Sequence, residues 1–565
     1  MPGHPPAQDL PRFTPEGGRS RPGALVRRAA LAAGLLLLAA ACGGGGSGSG
    51  RVTLRVVVSV DGVQRDTLTP TSGEARYGLR TGGALALASN LPVVWTHSDG
   101  TPAVAPSPDS TPTAWSGTFT LPGAEAGSLL LTGTAQDGSG QQVHVTVGVY
   151  PPGTGAYHTG QYPDLFVDLL GQAPQDVQAK VDAAWNQLFH GDDTQRVYQA
   201  VGDDMAYIYS ESTSSAVPPV VTVDVRSEGM SYGMMIAVQL DHQAEFDRLW
   251  TWARTYMVHQ EGPLRGYFAW LMNTDGTAVD ANPAPDGEEW FATALLLAAN
   301  RWGSGGAIDY RAEAQKILDT MLHKHEQPDR GGITDTFVAD NHLVVFQQLG
   351  EGATFTDPSY HLPHFYELWA RWADKDNQFW CDAAAASRAY LARAVNETTG
   401  LAPDYAQFDG TPFNPSWSTG GSHVDFRADA YRVAAHIGVD HLWFDNDPWE
   451  VTQSDRLLAF FRAQAADYGQ TDVSPPCGSY ALDGTCLSNP RNPPYVALAA
   501  MNAVAALAAS DPARGDFVQV LWDAPIPSGN RRYYGALLYM LGLLETSGNF
   551  QIHHPATAPV FDCFP

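Results

Sequence analysis

The sequence predicts two folded parts: a small all-β domain over residues 51–150 and a large all-α domain over residues 164–552, whose helices form concentric layers of a toroid. Three observations carry this prediction. Apolar residues alternate with period two after a Gly/Ser tract, then switch to helical spacing beyond residue 165. Long Gly/Pro/Asp-rich connections separate the helical segments. No period-two strand is interleaved with them, which excludes a parallel α/β sheet. A chain of 565 residues, 44% hydrophobic, is ample to bury cores of this size and allows roughly two to four domains.

In the first part, Val52, Leu54, Val56 and Val58 alternate with other residues, as do Val143, Val145, Val147 and Val149. Val93-Val94-Trp95 and Leu129-Leu130-Leu131 add short apolar runs, and Asp61-Gly62, Ser72-Gly73, Asp99-Gly100 and Asp137-Gly138 mark turns. Short strands at this spacing predict a β-sandwich of immunoglobulin-like size. It shows no aromatic platform, so a spacer role is expected ahead of sugar binding. Residues 151–163 read as a linker. Beyond it, Val177, Val181, Trp185 and Leu188 recur at helical spacing, as do Phe246, Leu249, Trp250, Ala253 and Met257, then Phe365, Leu368, Trp369 and Trp372. About eleven such segments lie between 165 and 550, followed by a tail over 553–565. Their Trp and Tyr residues are mostly core, and function is expected on the loops at one end of the toroid.

With 33 basic against 60 acidic residues, the net charge is −27. So acidic a chain is excluded as a nucleic-acid binder, because phosphate binding needs clustered Lys and Arg. It suits a neutral or basic ligand. The 15 Trp, 22 Tyr and 22 Phe exclude a disordered acidic chain. Arg19, Arg21, Arg27 and Arg28 precede an apolar run over 29–41, long enough for a signal segment and short for a membrane span. Leu38-Ala39-Ala40-Ala41-Cys42 resembles the bacterial lipobox, with Ala39 where a larger apolar residue is usual. Cys42 is the expected lipidation site, and residues 42–50 form a flexible tether. The protein is therefore expected to be exported from a bacterial cell and lipid-anchored to the envelope, periplasmic or surface-facing. It should touch the membrane only through that anchor and be monomeric. A plain secretory signal cut nearby is the other reading. Cys477 and Cys486 bracket a Gly/Asp turn and are expected to close a small disulfide loop, which leaves Cys381 and Cys563 as a pair by elimination. No Cys/His cluster has zinc spacing, so neither a metal nor a cofactor is expected. His553-His554 reads as surface.

Three acids stand apart. Glu228 lies where a polar turn enters an apolar helix, with Ser227 as the expected N-cap and Gly229 and Gly233 permitting close backbone approach. The plain reading is a first-turn acid favoured by the helix dipole. Asp286 lies in Asn282-Pro283-Ala284-Pro285-Asp286-Gly287-Glu288-Glu289-Trp290, either as a helix cap or as a site residue with the Trp290 ring nearby. Asp429 is expected on a helix with an apolar stripe of Phe426, Ala430, Val433 and Ile437 and a polar one of Asp425, Asp429, Arg432 and His436. That polar stripe is either a salt-bridged outer face or the lining of an inner helix. Paired carboxylates in an aromatic-lined cleft are the pattern of glycoside hydrolysis: one protonated carboxyl donates to the leaving oxygen while a carboxylate activates water or attacks carbon. Gly-x-Ser-x-Gly, Walker and His-Glu-x-x-His motifs are absent.

Over roughly residues 165–550 the chain resembles glycoside hydrolase family 8. The likeness rests on Ser227-Glu228-Gly229-Met230-Ser231-Tyr232-Gly233-Met234, Pro285-Asp286-Gly287-Glu288-Glu289-Trp290, Asp357-Pro358-Ser359-Tyr360-His361-Leu362-Pro363 and Asp429-Ala430-Tyr431-Arg432-Val433, in family order. The resemblance implies an (α/α) six-hairpin barrel and an inverting enzyme acting on an oligo- or polysaccharide. Glu228 looks like its general acid and Asp429 its general base. Asp286 looks like the residue that binds and helps distort the sugar at the cleavage subsite. Tyr360 and Arg432 would support the base and its water, and Tyr232, Trp290 and His361 would contact substrate. Elementary electrostatics agrees: an acid at an apolar helix entrance is raised in pKa, whereas an aspartate beside an arginine stays ionised. The wording of these stretches is nearest to the xylan-directed branch, with reducing-end xylose-releasing exo-oligoxylanases the nearest likeness. The late loop that confers exo action there corresponds to 470–496, which departs from that pattern: it carries Cys477 and Cys486 and runs Ser488-Asn489-Pro490-Arg491-Asn492-Pro493-Pro494-Tyr495. Exo and endo action therefore stay open. So do endo-β-1,4-glucanase or chitosanase activity on the same scaffold, and a surface glycan-binding lipoprotein without catalysis.

Overall fold

The computed structural model describes residues 52–60, 63–71, 74–80, 84–97, 113–118, 127–150, 154–213, 221–418, 422–488, 495–556, 561 and 563. The expected signal segment, Cys42 and the Gly/Ser tether lie outside these residues, as do three of the four β-domain turn signals and Asn489–Pro494. No helix among the described residues is long and apolar enough to cross a membrane.

Eight strands occupy the N-terminal part: β1 (Val56–Val60), β2 (Val63–Leu68), β3 (Glu74–Arg80), β4 (Ala84–Ser89), β5 (Val93–His97), β6 (Ala114–Thr118), β7 (Gly127–Ala135) and β8 (Gln142–Tyr150). They form two four-stranded sheets, ordered β2-β1-β4-β6 and β3-β8-β7-β5. All pairings are antiparallel except β3 with β8. The period-two residues Leu54, Val56, Val58, Val143, Val145 and Val147 are buried in a cluster of their own with Trp95 and Leu131.

Beyond two single-turn helices, Ala156–Thr159 and Leu165–Asp168, twelve longer ones follow. They are α1 (Pro174–His190), α2 (Ser227–Gln239), α3 (Gln243–Tyr256), α4 (Pro285–Trp302), α5 (Tyr310–His323), α6 (Pro363–Trp372), α7 (Asn377–Ala394), α8 (Arg432–Trp443), α9 (Trp449–Asp467), α10 (Val496–Ala505), α11 (Gly515–Asp523) and α12 (Tyr534–Thr546). The even-numbered helices pack side by side in a closed ring, α2-α4-α6-α8-α10-α12 and back to α2, and each pairs with an odd-numbered outer helix. This is an (α/α) six-hairpin barrel. Burial explains the order. Every residue of α6 and α10, and every residue of α2 except Glu228, is buried. The outer helix α1 instead buries one stripe, Val177, Val181, Ala184, Trp185 and Leu188. A helix apolar all round has no phase to read; periodicity suggests about eleven segments, and twelve helices longer than a single turn stand among the described residues.

Three expectations need correction. Strands are interleaved with the helices: β9 (Tyr198–Val201) pairs with β10 (Met205–Ile208), and β11 (Ser210–Thr213), β12 (Val221–Arg226), β13 (Leu271–Met272) and β14 (Ala278–Asp280) form a second small sheet. All pair antiparallel on the barrel loops, β12 with β13 across α2 and α3 and the others between neighbours in the chain, so they add no parallel layer. Asp425 and Asp429 share no helix face with Arg432 and His436, because α8 begins only at Arg432 and Asp429 sits in a single 3-10 turn, Ala428–Tyr431. His553 is half-buried, its carbonyl accepting from Asn300 (2.8 Å) and its Nε2 facing Arg301 (3.0 Å). Cys477 and Cys486 are joined in one disulfide and Cys381 and Cys563 in another, the latter fixing the C-terminal tail to α7.

Candidate active site

Glu228 is the second residue of α2, where strand β12 runs straight into the helix. The N-cap is Arg226 rather than Ser227, whose amide donates to the Trp270 carbonyl (3.0 Å) and ties the helix start to the neighbouring loop. Gly229 permits a close approach: a Cβ there would sit 2.5 Å from the Tyr533 ring, and that ring's hydroxyl donates to Glu228 Oε1 (2.8 Å). Asp286 is likewise the second residue of its helix, α4, and Ala284 is the N-cap. A Cβ on Gly287 would meet Ser227 at 2.6 Å, so glycine lets the starts of α2 and α4 touch and brings their acids to one rim. Asp429 follows Ala428, held at φ +35 with its carbonyl accepting from the Tyr534 hydroxyl (2.8 Å).

One guanidinium joins all three acids. Arg432, 2% exposed, places Nη1 3.1 Å from Glu228 Oε2, 3.1 Å from Asp286 Oδ2 and 2.8 Å from the Tyr232 hydroxyl. Its Nη2 lies 3.4 Å from Asp429 Oδ1 and donates to Ser359 Oγ (2.8 Å), and its plane lies over the Tyr360 ring. Because this one planar group touches both, the nearest oxygens of Glu228 and Asp429 lie no more than ~9 Å apart, which admits the ~6.5–9.5 Å separation that leaves room for a water.

One guanidinium shared by three acids leaves them under mutual repulsion, which favours protonation of the more buried ones. Burial pushes the Glu228 carboxyl up to about 7; Arg432 opposes the rise, and Asp286 and Asp429 add to it. Asp286 is raised by burial as well, with Arg432 opposing. The Glu228, Asp286 and Asp429 side chains are 16%, 8% and 31% exposed, so Asp429 is the one most open to solvent. Two further acids stand behind it. Asp357 accepts from Ser359 N and Oγ (2.7 Å each), Asp404 from His423 Nδ1 (2.6 Å), and burial pushes both well above the usual range, with the Asp429 charge contributing.

These groups line a cleft of about 530 Å³ that also takes in Trp270, Phe346, Tyr405 and Trp417. A larger cavity, about 610 Å³, lies near α9 and α11 and contains none of the three acids. Glu228, Asp286, Tyr360 and Asp429 reach the cleft wall, and Arg432 and Tyr232 stand directly behind it. Trp290 and His361 do not. Trp290 is 3% exposed and edge-on to Tyr232 and Phe365, and His361 is fully buried between Thr356 and Ser387 (3.0 Å each) and stacked on Tyr390. Sequence reasoning missed Tyr533, Asp404 and the aromatic wall. Of these, Trp417 alone carried a signal, an aromatic in a Pro/Ser loop, and it is 50% exposed.

The family described as Glycosyl hydrolases family 8 matches residues 218–548. The chain is 46% identical over 407 residues to the reducing-end xylose-releasing exo-oligoxylanase Rex8A of Paenibacillus barcinonensis, covering 71% of this chain and 99% of that one. It is 41% identical over 406 residues to the reducing end xylose-releasing exo-oligoxylanase of Halalkalibacterium halodurans, covering 71% and 97%. The solved structure of the Paenibacillus barcinonensis protein complexed with xylose matches with a TM-score of 0.63 at 45% identity, over 71% of this chain and all of that one.

Proposed function

This chain belongs to glycosyl hydrolase family 8, and on that premise we propose that it is an inverting glycosidase that cleaves β-1,4-xylosidic bonds of xylo-oligosaccharides and releases xylose from the reducing end. The observation that carries the reading is the single buried guanidinium of Arg432, which holds Glu228, Asp286 and Asp429 in one cleft with Glu228 pushed up to about 7. Glu228 is the general acid: its proton goes to the glycosidic oxygen as the bond to the anomeric carbon breaks. Asp429, the most exposed of the three, is the general base: it takes a proton from water as that water attacks the anomeric carbon from the opposite face. Asp286 and Tyr360 receive the sugar at the cleavage point, and Trp270, Phe346, Tyr405 and Trp417 offer ring faces along the cleft.

Release of one terminal unit is supported by the names of the two relatives. Phe426 and Tyr480 exchange backbone hydrogen bonds (2.8 and 3.0 Å), and the Tyr431 hydroxyl donates to the Gly478 carbonyl, so the loop closed by Cys477 and Cys486 braces the turn that carries Asp429. Product profiling tests the reading. Xylotetraose should give xylose and xylotriose first, with cellotetraose and chitosan oligomers left intact. Xylobiose as the first product would overturn the exo assignment, and faster cleavage of either alternative substrate would overturn the xylan one. Binding without turnover would favour the non-catalytic reading.

We further propose export with lipid attachment at Cys42, a monomeric chain, and an immunoglobulin-like sandwich that spaces the barrel from the membrane. The basic residues before 29–41, the Ala-Ala-Ala-Cys ending and the Gly/Ser tract support this reading. Cys42→Ala should move the protein from the membrane fraction to the soluble one. An unchanged distribution would overturn the anchor.

A further inference from the structure

Away from the cleft, α5 ends at His323 and runs into a 3-10 turn, Lys324–Glu326. This geometry brings together an imidazole nitrogen of His323, an imidazole nitrogen of His325 and a carboxylate oxygen of Glu326, all within 4.8 Å of one another. We propose that these three side chains bind one divalent transition ion of the zinc class, at rings that Asp335 and the start of α7 orient.

The second observation is what holds each ring. His323 Nε2 lies 2.8 Å from Asp376 Oδ2, at the N-cap of α7, and His325 Nδ1 lies 2.7 Å from Asp335 Oδ2. Asp335 also accepts from the His325 amide (2.8 Å). Metal-bound histidines characteristically give their other ring nitrogen to a carboxylate, which fixes tautomer and ring orientation. Here both rings are held in that way, and the two remaining nitrogens, His323 Nδ1 and His325 Nε2, face the same Glu326 oxygen at 3.0 and 4.0 Å. Tetrahedral bonds of ~2.0–2.2 Å set ligand atoms ~3.3–3.5 Å apart, so side-chain rotations that close the present gaps by about 1–1.5 Å seat the ion. The ion would replace the His323–Glu326 hydrogen bond. Lys324, between the two histidines, is buried and bonded to the Arg265 carbonyl (2.7 Å) and Gln327 Oε1 (3.0 Å), which fixes the turn from beneath.

Two imidazoles and one carboxylate select zinc, nickel or copper over magnesium and calcium. None of the three side chains lines the catalytic cleft. Residues at i and i+2 point to different sides of a continuous helix, so the run His323-Lys324-His325-Glu326 gives no metal signal in sequence. The end of α5 at His323 is what brings the rings together.

Untagged full-length protein, stripped with chelator and dialysed, is titrated with Zn²⁺ by calorimetry. The expected result is one ion per chain at this site, with affinity lowered at least tenfold by His325→Gln and by Glu326→Gln. Both residues are exposed, so the variants should fold. Zn²⁺ should raise the melting temperature of the parent by a few degrees and leave the double variant unmoved. Xylo-oligosaccharide turnover should be equal in the stripped parent and both variants. No binding up to about 100 µM Zn²⁺, or binding unchanged in the double variant, would overturn the proposal.

Discussion

Tyr533→Phe isolates what sets the charge state of Glu228. The hydroxyl donates to Glu228 Oε1 at 2.8 Å and thereby favours the ionised carboxyl, while burial and the neighbouring acids push the other way, to about 7. A net hydrogen bond contributes ~0.5–1.5 kcal/mol and one pKa unit corresponds to 1.36 kcal/mol, so its loss should raise the Glu228 pKa by ~0.5–1 unit. The proposed mechanism needs Glu228 protonated in the free enzyme, so kcat/KM falls as pH rises through that pKa. The alkaline limb, near pH 7 in the parent, should therefore move upward in the variant while the acid limb stays in place. The assay is kcat/KM on xylotriose from pH 4 to 9. The ring's packing on Gly229 is retained in phenylalanine, so folding should not obscure the result. An unmoved alkaline limb, or one displaced to lower pH, would refute the assignment of Glu228 as the acid.

Glu228→Ala and Asp429→Asn should each lower kcat by ~10²–10⁴ with circular dichroism unchanged, the range general acid–base catalysis supplies. Arg432→Met strands three carboxylates at one rim and should cost ~3–5 kcal/mol of stability, read by urea unfolding at pH 7 and shrinking as pH falls and the acids protonate. Glu545, in α12, is held up to about 8 by burial. Its folded pKa lies above its unfolded one, so the stability tied to its protonated form is complete below about pH 4.5 and lost as pH rises towards 8. Glu545→Gln should thus unfold at higher urea than the parent at pH 8 and at nearly the same urea at pH 4.5.

The helical spacing beyond residue 165 made the barrel legible, and the outer helices announced themselves because each has one wet face, as in α1. The inner ring was harder: α10, Val496–Ala505, is buried on every side and offers no phase. Local stretches pointed to Glu228, Asp286, Tyr360, Asp429 and Arg432, which do meet at one end of the barrel. They misled where neighbours in sequence face opposite ways. Tyr360 turns to the cleft while His361, one residue on, is sealed against Tyr390. The turn at Asp429 was read as helix because nothing in Arg427-Ala428-Asp429 marks a positive φ; the tertiary contact from Tyr534 holds it there. Tyr533 reaches Glu228 across 305 positions of sequence, a separation no local pattern spans.

In the proposed mechanism Glu228 and Asp429 face each other across one water rather than across a covalent intermediate. Proton NMR of xylotetraose hydrolysis in its first minutes reads this directly from the anomeric signals. The new reducing end should appear first as the α-anomer and only later equilibrate to β. Initial accumulation of the β-anomer would contradict that mechanism.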